Sequence, residues 1–321
     1  MTVVDVNRSN FGTAQVRAAI ALLLSSAKSL PRSILMVVFS FKLLLAMKVL
    51  TTSEKVAQAV RFMRSVNTTS NCFLAFSGGK DSMVLKFIAK EAGIKVPLKH
   101  NVTTIDPEGT ISFCLKHGAE LIRNKRTFLD IVEQKGMPTM FRRFCCKELK
   151  EKYIGDKGFF GIRRDESVKR SNCYDDFSDI YYYSKKVHTE RFFPLLQFSD
   201  DDIYNVVTEH SLECHPLYYD HQGHFCVNRR LGCIGCPLQG DRGKMDYLKY
   251  PKLLKQVLKR LVIFHKNHGR TARDAYLNAV YNLFYSNHGF ERYRQTYEGL
   301  FDTDPVEMLN EYFFLNLKVE D

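Results

Sequence analysis

One segment constrains the fold of this chain more than any other, because a strand pattern, a glycine turn and a helix pattern follow one another directly. Residues 72–76 are apolar and predict a short buried strand. The turn Ser-Gly-Gly-Lys-Asp-Ser occupies positions 77–82, and the apolar residues after it recur at helical spacing. A glycine turn ahead of a helix presents backbone N–H groups and the positive end of the helix dipole to an anion. The segment therefore predicts a strand, a phosphate-binding loop and a helix.

The remaining pattern predicts an α/β fold. Strands are predicted over 96–105, 158–162 and 192–196, and helices over 53–66, 127–134 and 148–152. Ser199, followed by three aspartates, predicts a capped helix start. Strands that alternate with helices imply a doubly wound parallel sheet, in which the carboxyl ends of the strands face one ligand-binding crevice.

The two ends of the chain differ from its middle. Residues 1–50 are expected to form an N-terminal extension outside the fold, in which Asp5 is the only acid. Their composition resembles a transit peptide, although translation from Met47 explains it more simply. Residues 51–240 are predicted to form the nucleotide-binding domain, and residues 241–321 a helical C-terminal subdomain.

Composition narrows the choice of partner and compartment. The formal charge of +12 favours a polyanionic partner, either a nucleotide or a nucleic acid such as tRNA or DNA. The basic, aromatic C-terminal helices fit nucleic acid, but a core helix with a solvated face has the same pattern. Nine cysteines without a secretion signal predict reduced thiols and a cytoplasmic location. The apolar stretch at 34–50 contains two lysines and is shorter than the roughly 20 residues of a spanning helix, so no membrane partner is expected.

Four of the nine cysteines form two close pairs, Cys145 with Cys146 and Cys233 with Cys236. Four thiolates bind zinc or an iron–sulfur cluster. Adjacent cysteines can bind different irons of a cubane, whereas two neighbouring residues crowd a single tetrahedral zinc ion. The preferred interpretation is a [4Fe-4S] cluster, followed by zinc and then by a metal-free dithiol.

The other cysteines and a group of histidines are alternative candidates for metal ligands. His215, His221, His224 and Cys226 are of ligand type, but their irregular spacing matches no zinc module and favours ordinary loop or pocket residues. The unclustered thiols are expected to be buried or inert, and they are Cys72, Cys114, Cys173 and Cys214.

The phosphate loop is not of the GTPase type, which has Ser or Thr directly after Gly-Lys, because Asp81 occupies that position. Each of its residues has a chemical use: Gly78 and Gly79 admit a phosphate to the backbone, Ser77 and Ser82 offer hydroxyls, Lys80 supplies charge, and Asp81 caps the helix or organises the loop. A plain strand-to-helix turn with a capping aspartate is the alternative interpretation.

Several motifs in a fixed order carry a family resemblance. They are the Ser77–Ser82 loop, the Cys145-Cys146 pair, Gly161-Ile162-Arg163-Arg164-Asp165-Glu166-Ser167 with a later Arg170, Pro216-Leu217-Tyr218, and Gly232-Cys233-Ile234-Gly235-Cys236-Pro237. Together they resemble the phosphoadenosine phosphosulfate reductase family of the adenine nucleotide α-hydrolase superfamily, over residues 53–238. The four paired cysteines resemble the [4Fe-4S] set of the assimilatory adenylyl-sulfate reductases.

The resemblance implies roles for residues outside the loop. Arg163 and Arg164 would bind nucleotide phosphate or a sulfate-like group and, with Lys80, would act as catalytic cations. Ser167 and Arg170 would also contact the nucleotide, and Asp106 would line the pocket near the ribose or base. A surface salt-bridge pair is the alternative for the two adjacent arginines.

One feature departs from the family pattern, because a sulfonucleotide reductase uses a nucleophilic cysteine in its C-terminal tail and this sequence has no cysteine after Cys236. The leading hypothesis is therefore an enzyme that uses ATP and Mg²⁺ to adenylate a substrate for sulfur transfer, with a thiol or sulfur donor protein as a further partner. The alternatives are a sulfonucleotide reductase with a displaced cysteine and a non-catalytic nucleotide-sensing module.

Overall fold

The computed structural model describes residues 50–68, 71–174, 176–239, 243, 246–247 and 249–284. The expectations for the N-terminal extension, Leu50 apart, and for the C-terminal residues from 285 onward lie outside these residues. The proposed domain boundary at 240/241 falls in a short stretch that is also outside them.

The described residues form eight α-helices and six strands. The α-helices are α1 (Thr52–Ser65), α2 (Lys80–Glu91), α3 (Thr110–Lys116), α4 (Phe128–Lys135), α5 (Val168–Cys173), α6 (Asp200–Glu209), α7 (Pro251–Asn267) and α8 (Ala272–Phe284). The strands are β1 (Cys72–Ala75), β2 (Leu98–Asn101), β3 (Glu120–Ile122), β4 (Lys157–Phe159), β5 (Ser178–Tyr182) and β6 (His188–Phe192). A π-helical turn at Cys146–Lys150 and short 3₁₀ turns at Arg164–Glu166, Pro216–Tyr218 and Pro237–Gln239 complete the set.

The strands form one sheet in the order β3-β2-β1-β4-β6-β5. Every pair is parallel except β5 with β6, which is antiparallel. The chain builds outward from β1 in one direction and then returns to place β4 on its other side. This reversal is a topological switch point, where open α/β sheets bind ligands. The doubly wound α/β prediction is therefore confirmed.

Several boundaries differ from the sequence-based expectation. The strand expected at 192–196 ends at Phe192, and a turn follows it. The tyrosine-rich stretch before it, which has no predicted element, forms the edge strand β5. The helix expected at 148–152 is the π-helical turn that begins at Cys146. Strand limits depend on partners far along the chain, so local pattern defines them weakly.

Helix starts follow the local sequence closely. Ser199 caps α6, and Asp202 completes a capping box with it. Equivalent capping boxes begin α1 at Thr51 and α4 at Thr127. Each box satisfies backbone N–H groups that the first turn of a helix leaves without partners.

Two apolar cores hold these elements together. One lies between the sheet and helices α1, α2, α3 and α6. The other joins α4, α7 and α8 to Ile105, Leu149 and Ile234. The C-terminal helices thus share a core with the segments that carry the paired cysteines. No helix among the described residues is both long enough and apolar enough to cross a bilayer.

Candidate functional site

The Ser77–Ser82 loop lies at the switch point of the sheet, between the ends of β1 and β4. Gly78 has a φ of +75°, which glycine adopts without steric cost, and Gly79 precedes the first turn of α2. Gly161, just after β4, packs so closely that a Cβ there would lie 3.2 Å from the carbonyl oxygen of Asp81. The loop therefore sits where the fold class binds phosphate, with the N-terminus of a 12-residue helix beneath it.

Hydroxyl groups shape the loop from within. The N–H of Gly79 donates to Ser77 Oγ at 3.3 Å, and Ser82 Oγ donates to the carbonyl of Gly79 at 2.8 Å. The buried Tyr218 hydroxyl accepts a hydrogen bond from the N–H of Leu231 at 3.2 Å and another from the N–H of Lys80. Burial raises the pKa of Tyr218 to about 12, so this hydroxyl stays neutral. The Pro216-Leu217-Tyr218 motif thus braces the phosphate loop.

A buried ionic network joins the loop to the segment after β4. Arg163, only 1% exposed, donates to Asp81 at 2.6 Å through Nε and to Asp200 at 2.7 Å through Nη2. Its Nη1 donates to the carbonyl of Phe198 at 3.2 Å. Lys80 lies 3.4 Å from Asp200 and 3.5 Å from Asp81. The guanidinium of Arg163 is therefore fully engaged by protein oxygens, whereas the Lys80 ammonium makes only longer ion pairs.

The other predicted phosphate ligands lie around this network. Arg164 donates through Nε to the carbonyl of Tyr174 at 2.6 Å. Ser167 caps α5 and accepts from the N–H of Arg170 at 3.2 Å. Arg170 pairs with Glu166. Burial lowers the pKa of Arg170, and repulsion from the nearby Arg230 lowers it further. The arrangement brings Arg170 and Arg230 together, although no sequence motif marks Arg230.

Asp106 lies just beyond the end of β2, where it is held by its own turn. Its carboxylate accepts from the N–H of Thr103 at 2.8 Å and from the hydroxyl of Thr103 at 2.7 Å. The same segment receives the second cysteine pair, because the N–H of Ile234 donates to the carbonyl of Ile105 at 2.8 Å. Cys233 Sγ lies 3.5 Å from the hydroxyl of Thr103. The Asp106 turn therefore lies between the crevice at the switch point and the cysteines.

The four paired cysteines, hereafter the thiol group, lie near one another. A hydrogen bond between Cys145 and Cys146 raises the pKa of Cys145 and lowers that of Cys146, so Cys146 is the more acidic thiol of the two. The pKa of Cys236 is raised by burial and also by Cys233 and Cys146. All four side chains are half-buried.

Two further residues define the surroundings of the thiol group. Desolvation lowers the pKa of Lys150, but Cys233, which accepts a hydrogen bond from this ammonium, together with Cys146 and Asp106 raises it above its ordinary value. Gly235 has a φ of +70° and packs so tightly on the buried Tyr247 that a Cβ would lie 2.1 Å from its ring. The Cys233–Cys236 loop thus needs a glycine at this position.

The candidate ligands do not assemble into a metal site. No three His, Cys, Asp or Glu side chains among the described residues, the four paired cysteines included, are gathered closely enough to hold a metal ion. Among the alternative candidates, His215 is buried and accepts from the N–H of Leu217, and His224 pairs with Asp220 at 3.4 Å.

The unclustered thiols differ in their solvent exposure. Cys72, Cys114 and Cys214 are buried as expected, and burial raises the pKa of Cys114 and of Cys214 to about 12. Cys173, at the end of the short helix α5, is exposed, so for this residue the expectation of a buried or inert thiol is left to inertness alone.

The sequence analysis gives no role to three residues of the site, namely Asp200, Lys150 and Tyr218, although Tyr218 belongs to the Pro216-Leu217-Tyr218 motif. Asp200 is the first of three aspartates at the start of α6, and its role as partner of Arg163 depends on the approach of that helix to the β4 loop. Lys150 lies four residues after Cys146, a spacing that brings the two side chains together in a helical turn. That spacing is a signal that the sequence contained.

The chain is similar to one family profile and to several solved structures. The sequence profile of the phosphoadenosine phosphosulfate reductase domain matches residues 71–239, more than half of the chain. A search of curated proteins found no match. Among solved structures, FMN adenylyltransferase of Candida glabrata with FMN and the ATP analogue AMPCPP is similar at 15% identity with a TM-score of 0.39; 57% of this chain is covered and 62%, less than two thirds, of that enzyme. Phosphoadenylyl-sulfate reductase of Candida auris is similar at 10% identity with a TM-score of 0.38, over 57% of this chain and 96% of that one.

Proposed function

Because the chain belongs to the phosphoadenosine phosphosulfate reductase domain family, we propose that it is an enzyme that binds an adenine nucleotide in the Ser77–Ser82 loop. One observation carries this proposal. The loop lies at the topological switch point, and the Asp106 turn beside it also holds Cys233 and Ile234. Nucleotide phosphates and reactive thiols would therefore meet in one crevice.

The chemistry that we propose is adenylation. An oxygen atom of the acceptor attacks the α-phosphorus of ATP, a new oxygen–phosphorus bond forms, and the bond to the bridging oxygen breaks, so that pyrophosphate leaves. A sulfur nucleophile then displaces AMP from the acceptor. Catalysis of the first step rests on position and on charge neutralisation by the helix N-terminus and Lys80.

Within this proposal the two adjacent arginines have different tasks. Arg163 holds Asp81 and Asp200 and so positions the Lys80 ammonium, which both carboxylates attract. Arg164, Ser167 and Arg170 would contact the nucleotide, as would Asp106 on the side of the ribose or base. Mg²⁺ would enter with the phosphates, as it commonly does in nucleotide enzymes.

The thiol group has the donor chemistry of an iron–sulfur site. All four cysteines are half-buried, and Cys145 and Cys233 pack against an apolar core that contains Tyr247 and Ile234. Cys145, Cys146, Cys233 and Cys236 would hold a [4Fe-4S] cluster, with zinc as the second choice. A bound cluster would supply an iron atom able to bind sulfur or transfer electrons. Lys150 would balance the negative charge of the thiolates.

The acceptor that fits best is a nucleic acid, tRNA or DNA, because the chain carries a formal charge of +12. Thiolation of such an acceptor needs a thiol or sulfur donor protein as a partner.

The decisive experiment follows pyrophosphate and sulfite in anaerobic assays with ATP, adenylyl sulfate or phosphoadenylyl sulfate as the nucleotide. Pyrophosphate from ATP supports adenylation. Sulfite would identify a sulfonucleotide reductase instead, and tight binding without turnover would identify a nucleotide-sensing module. Lys80→Ala should weaken nucleotide binding, whereas Lys90→Ala, on the exposed far end of the same helix, should not. Equal affinities would refute the assignment of the phosphate loop.

The cluster assignment has its own test. Cys233→Ser should remove bound iron and acid-labile sulfide from anaerobically purified protein, whereas Cys173→Ser, at an exposed thiol outside the thiol group, should retain both. Iron and sulfide retained at wild-type levels in Cys233→Ser would refute the ligand set, and zinc in place of iron would support the second choice.

A further inference from the structure

The segment just before the Cys145-Cys146 pair holds an aromatic side chain in the solvent. Phe141 is 85% exposed and Met140 is 53% exposed. An isolated exposed apolar residue is common on protein surfaces and needs no function. What distinguishes Phe141 is its support, its charged neighbours and its place next to the thiol group.

The backbone around Phe141 is fixed on both sides. On one side the N–H of Thr139 donates to the carbonyl of Arg142 at 3.2 Å, and the N–H of Arg142 donates back to the hydroxyl of Thr139 at 3.0 Å. On the other side the carbonyl of Arg143 accepts from the N–H of Cys146 at 3.1 Å. The turn therefore presents Phe141 at its tip with little freedom of the main chain, so that a ligand would order few additional torsions on binding.

The charges around the turn are strongly positive. Residues 139–152 contain five Lys or Arg residues and two glutamates. Glu148 is already paired with Arg126 and Lys135, which lie outside this stretch. Arg142 and Arg143 are exposed, and neither forms an ion pair with another described residue. The exposed ring is thus flanked by two available guanidinium groups.

We propose that the turn Thr139–Arg143 binds unpaired nucleotides of the nucleic-acid acceptor. Phe141 stacks on a base, and Arg142 and Arg143 bind the adjoining phosphates. Single-stranded nucleic acids are commonly bound by such a combination of an aromatic ring with a cationic track. Because Cys145 comes only four residues after Phe141, the stacked nucleotide lies beside the thiol group. This inference rests on the proposed function, since it names where the acceptor binds.

The first test measures binding of the full chain to a fluorescein-labelled single-stranded RNA of about 20 nucleotides, longer than a typical single-strand site, without ATP. Phe141→Ala should weaken binding roughly 5- to 150-fold, the range for loss of one base–aromatic stack, and Phe141→Trp should preserve it. The matched control is Tyr182→Ala, which removes a 63% exposed aromatic side chain from the edge strand β5 and should have no effect. Single-stranded DNA and duplex RNA, measured in parallel, separate RNA from DNA acceptors and unpaired from paired ones.

The second test concerns charge. The double variant Arg142→Gln/Arg143→Gln should reduce the salt dependence of RNA binding by about 1.4 in the slope of log K against log salt, at about 0.7 per lost phosphate contact on a single strand. The control changes two exposed lysines elsewhere, Lys185→Gln and Lys186→Gln in the β5–β6 turn, and should leave the slope unchanged.

Inorganic polyphosphate provides the third comparison, because it has phosphates but no bases. Phe141→Ala should bind it as the wild type does. Unchanged RNA affinity in Phe141→Ala would overturn the proposal, and so would an equal loss of affinity for RNA and polyphosphate. If Phe141→Ala weakened binding of a sulfur donor protein and left RNA binding intact, the turn would be assigned to a protein partner instead. Pyrophosphate release from ATP alone is independent of these results, so failure of this inference can be distinguished from failure of the proposed function.

Discussion

Replacement of Arg163 by Met tests whether this arginine is a buried strut, that is, an ion-pair partner that stabilises the fold, or a phosphate ligand. The guanidinium is 1% exposed and donates to Asp81, Asp200 and the carbonyl of Phe198. The variant would leave two carboxylates and one carbonyl without their donor. We therefore expect a loss of folding stability in addition to any effect on nucleotide binding.

The size of the expected stability loss follows from the solvent exposure of the two carboxylates. Removing one partner from a buried ion pair costs about 3 to 5 kcal/mol, because the other charge remains buried and uncompensated. Asp81 is only 18% exposed and would keep Lys80 at 3.5 Å as its one ion-pair partner among the described residues, so its low exposure makes it incur most of that cost. Asp200 is 45% exposed and keeps Lys80 at 3.4 Å, so solvent and the lysine compensate for much of its loss. The expected destabilisation is therefore near the lower end, about 3 kcal/mol.

The assay is thermal and urea unfolding of the nucleotide-free protein, together with nucleotide titration. A loss of about 3 kcal/mol lowers Tm by roughly 6 to 12 °C for a unit of this size. The matched control, Arg61→Met on the exposed face of α1, should change stability by less than about 0.5 kcal/mol. If Arg163→Met unfolds like the control but binds nucleotide more weakly, Arg163 is a phosphate ligand and the strut argument is wrong.

Three further predictions concern the Cys233–Cys236 loop, the phosphate loop and the folding stability at acid pH. Gly235→Ala should lower the free energy of unfolding in urea by about 2 to 5 kcal/mol, because of the positive φ and the collision with Tyr247. The control Gly269→Ala is also at positive φ but has no atom within 4 Å, so it should cost only about 1 to 2 kcal/mol. Equal costs would contradict the packing argument. Tyr218→Phe should cost about 1 to 3 kcal/mol and weaken nucleotide binding, because two N–H groups lose their acceptor; wild-type values for both would show that the hydroxyl does not brace the loop. Burial raises the pKa of Asp202, but its hydrogen bonds to a lysine and to hydroxyl and N–H groups outweigh burial, so the net pKa lies below its ordinary value. The ionised form therefore stabilises the fold above about pH 4, and this contribution is lost as the pH falls through the lower, folded-state pKa. Asp202→Asn should flatten the acid side of the stability curve, and an unchanged acid side would refute this assignment.

Local sequence predicted the elements whose interactions lie within a few residues. The strand, glycine turn and helix around Ser77–Ser82 follow from apolar periodicity and from two adjacent glycines, and all three are present. The start of α6 at Ser199 was predictable for the same reason, because a capping box joins residues three apart. The alternation of these elements was enough to indicate a doubly wound sheet.

Contacts between distant parts of the chain decided the rest. Arg163 was expected at a phosphate, but the approach of α6 places Asp200 against it, 37 residues further on. The edge strand β5 exists because β6 offers it an antiparallel partner, and no local pattern marks that pairing.

The thiol group shows the division most clearly. The spacing of residues along the chain is enough to show that four cysteines occur in two pairs. The fold places Cys233 against Thr103, 130 residues earlier, and brings Lys150 beside Cys233 and Cys146. The sheet brings the ends of its strands to one edge, and the energy of burying the second core brings the Cys233–Cys236 loop to that edge. The spacing of residues along a chain specifies neither the arrangement of the strands in the sheet nor the energy of burying the second core.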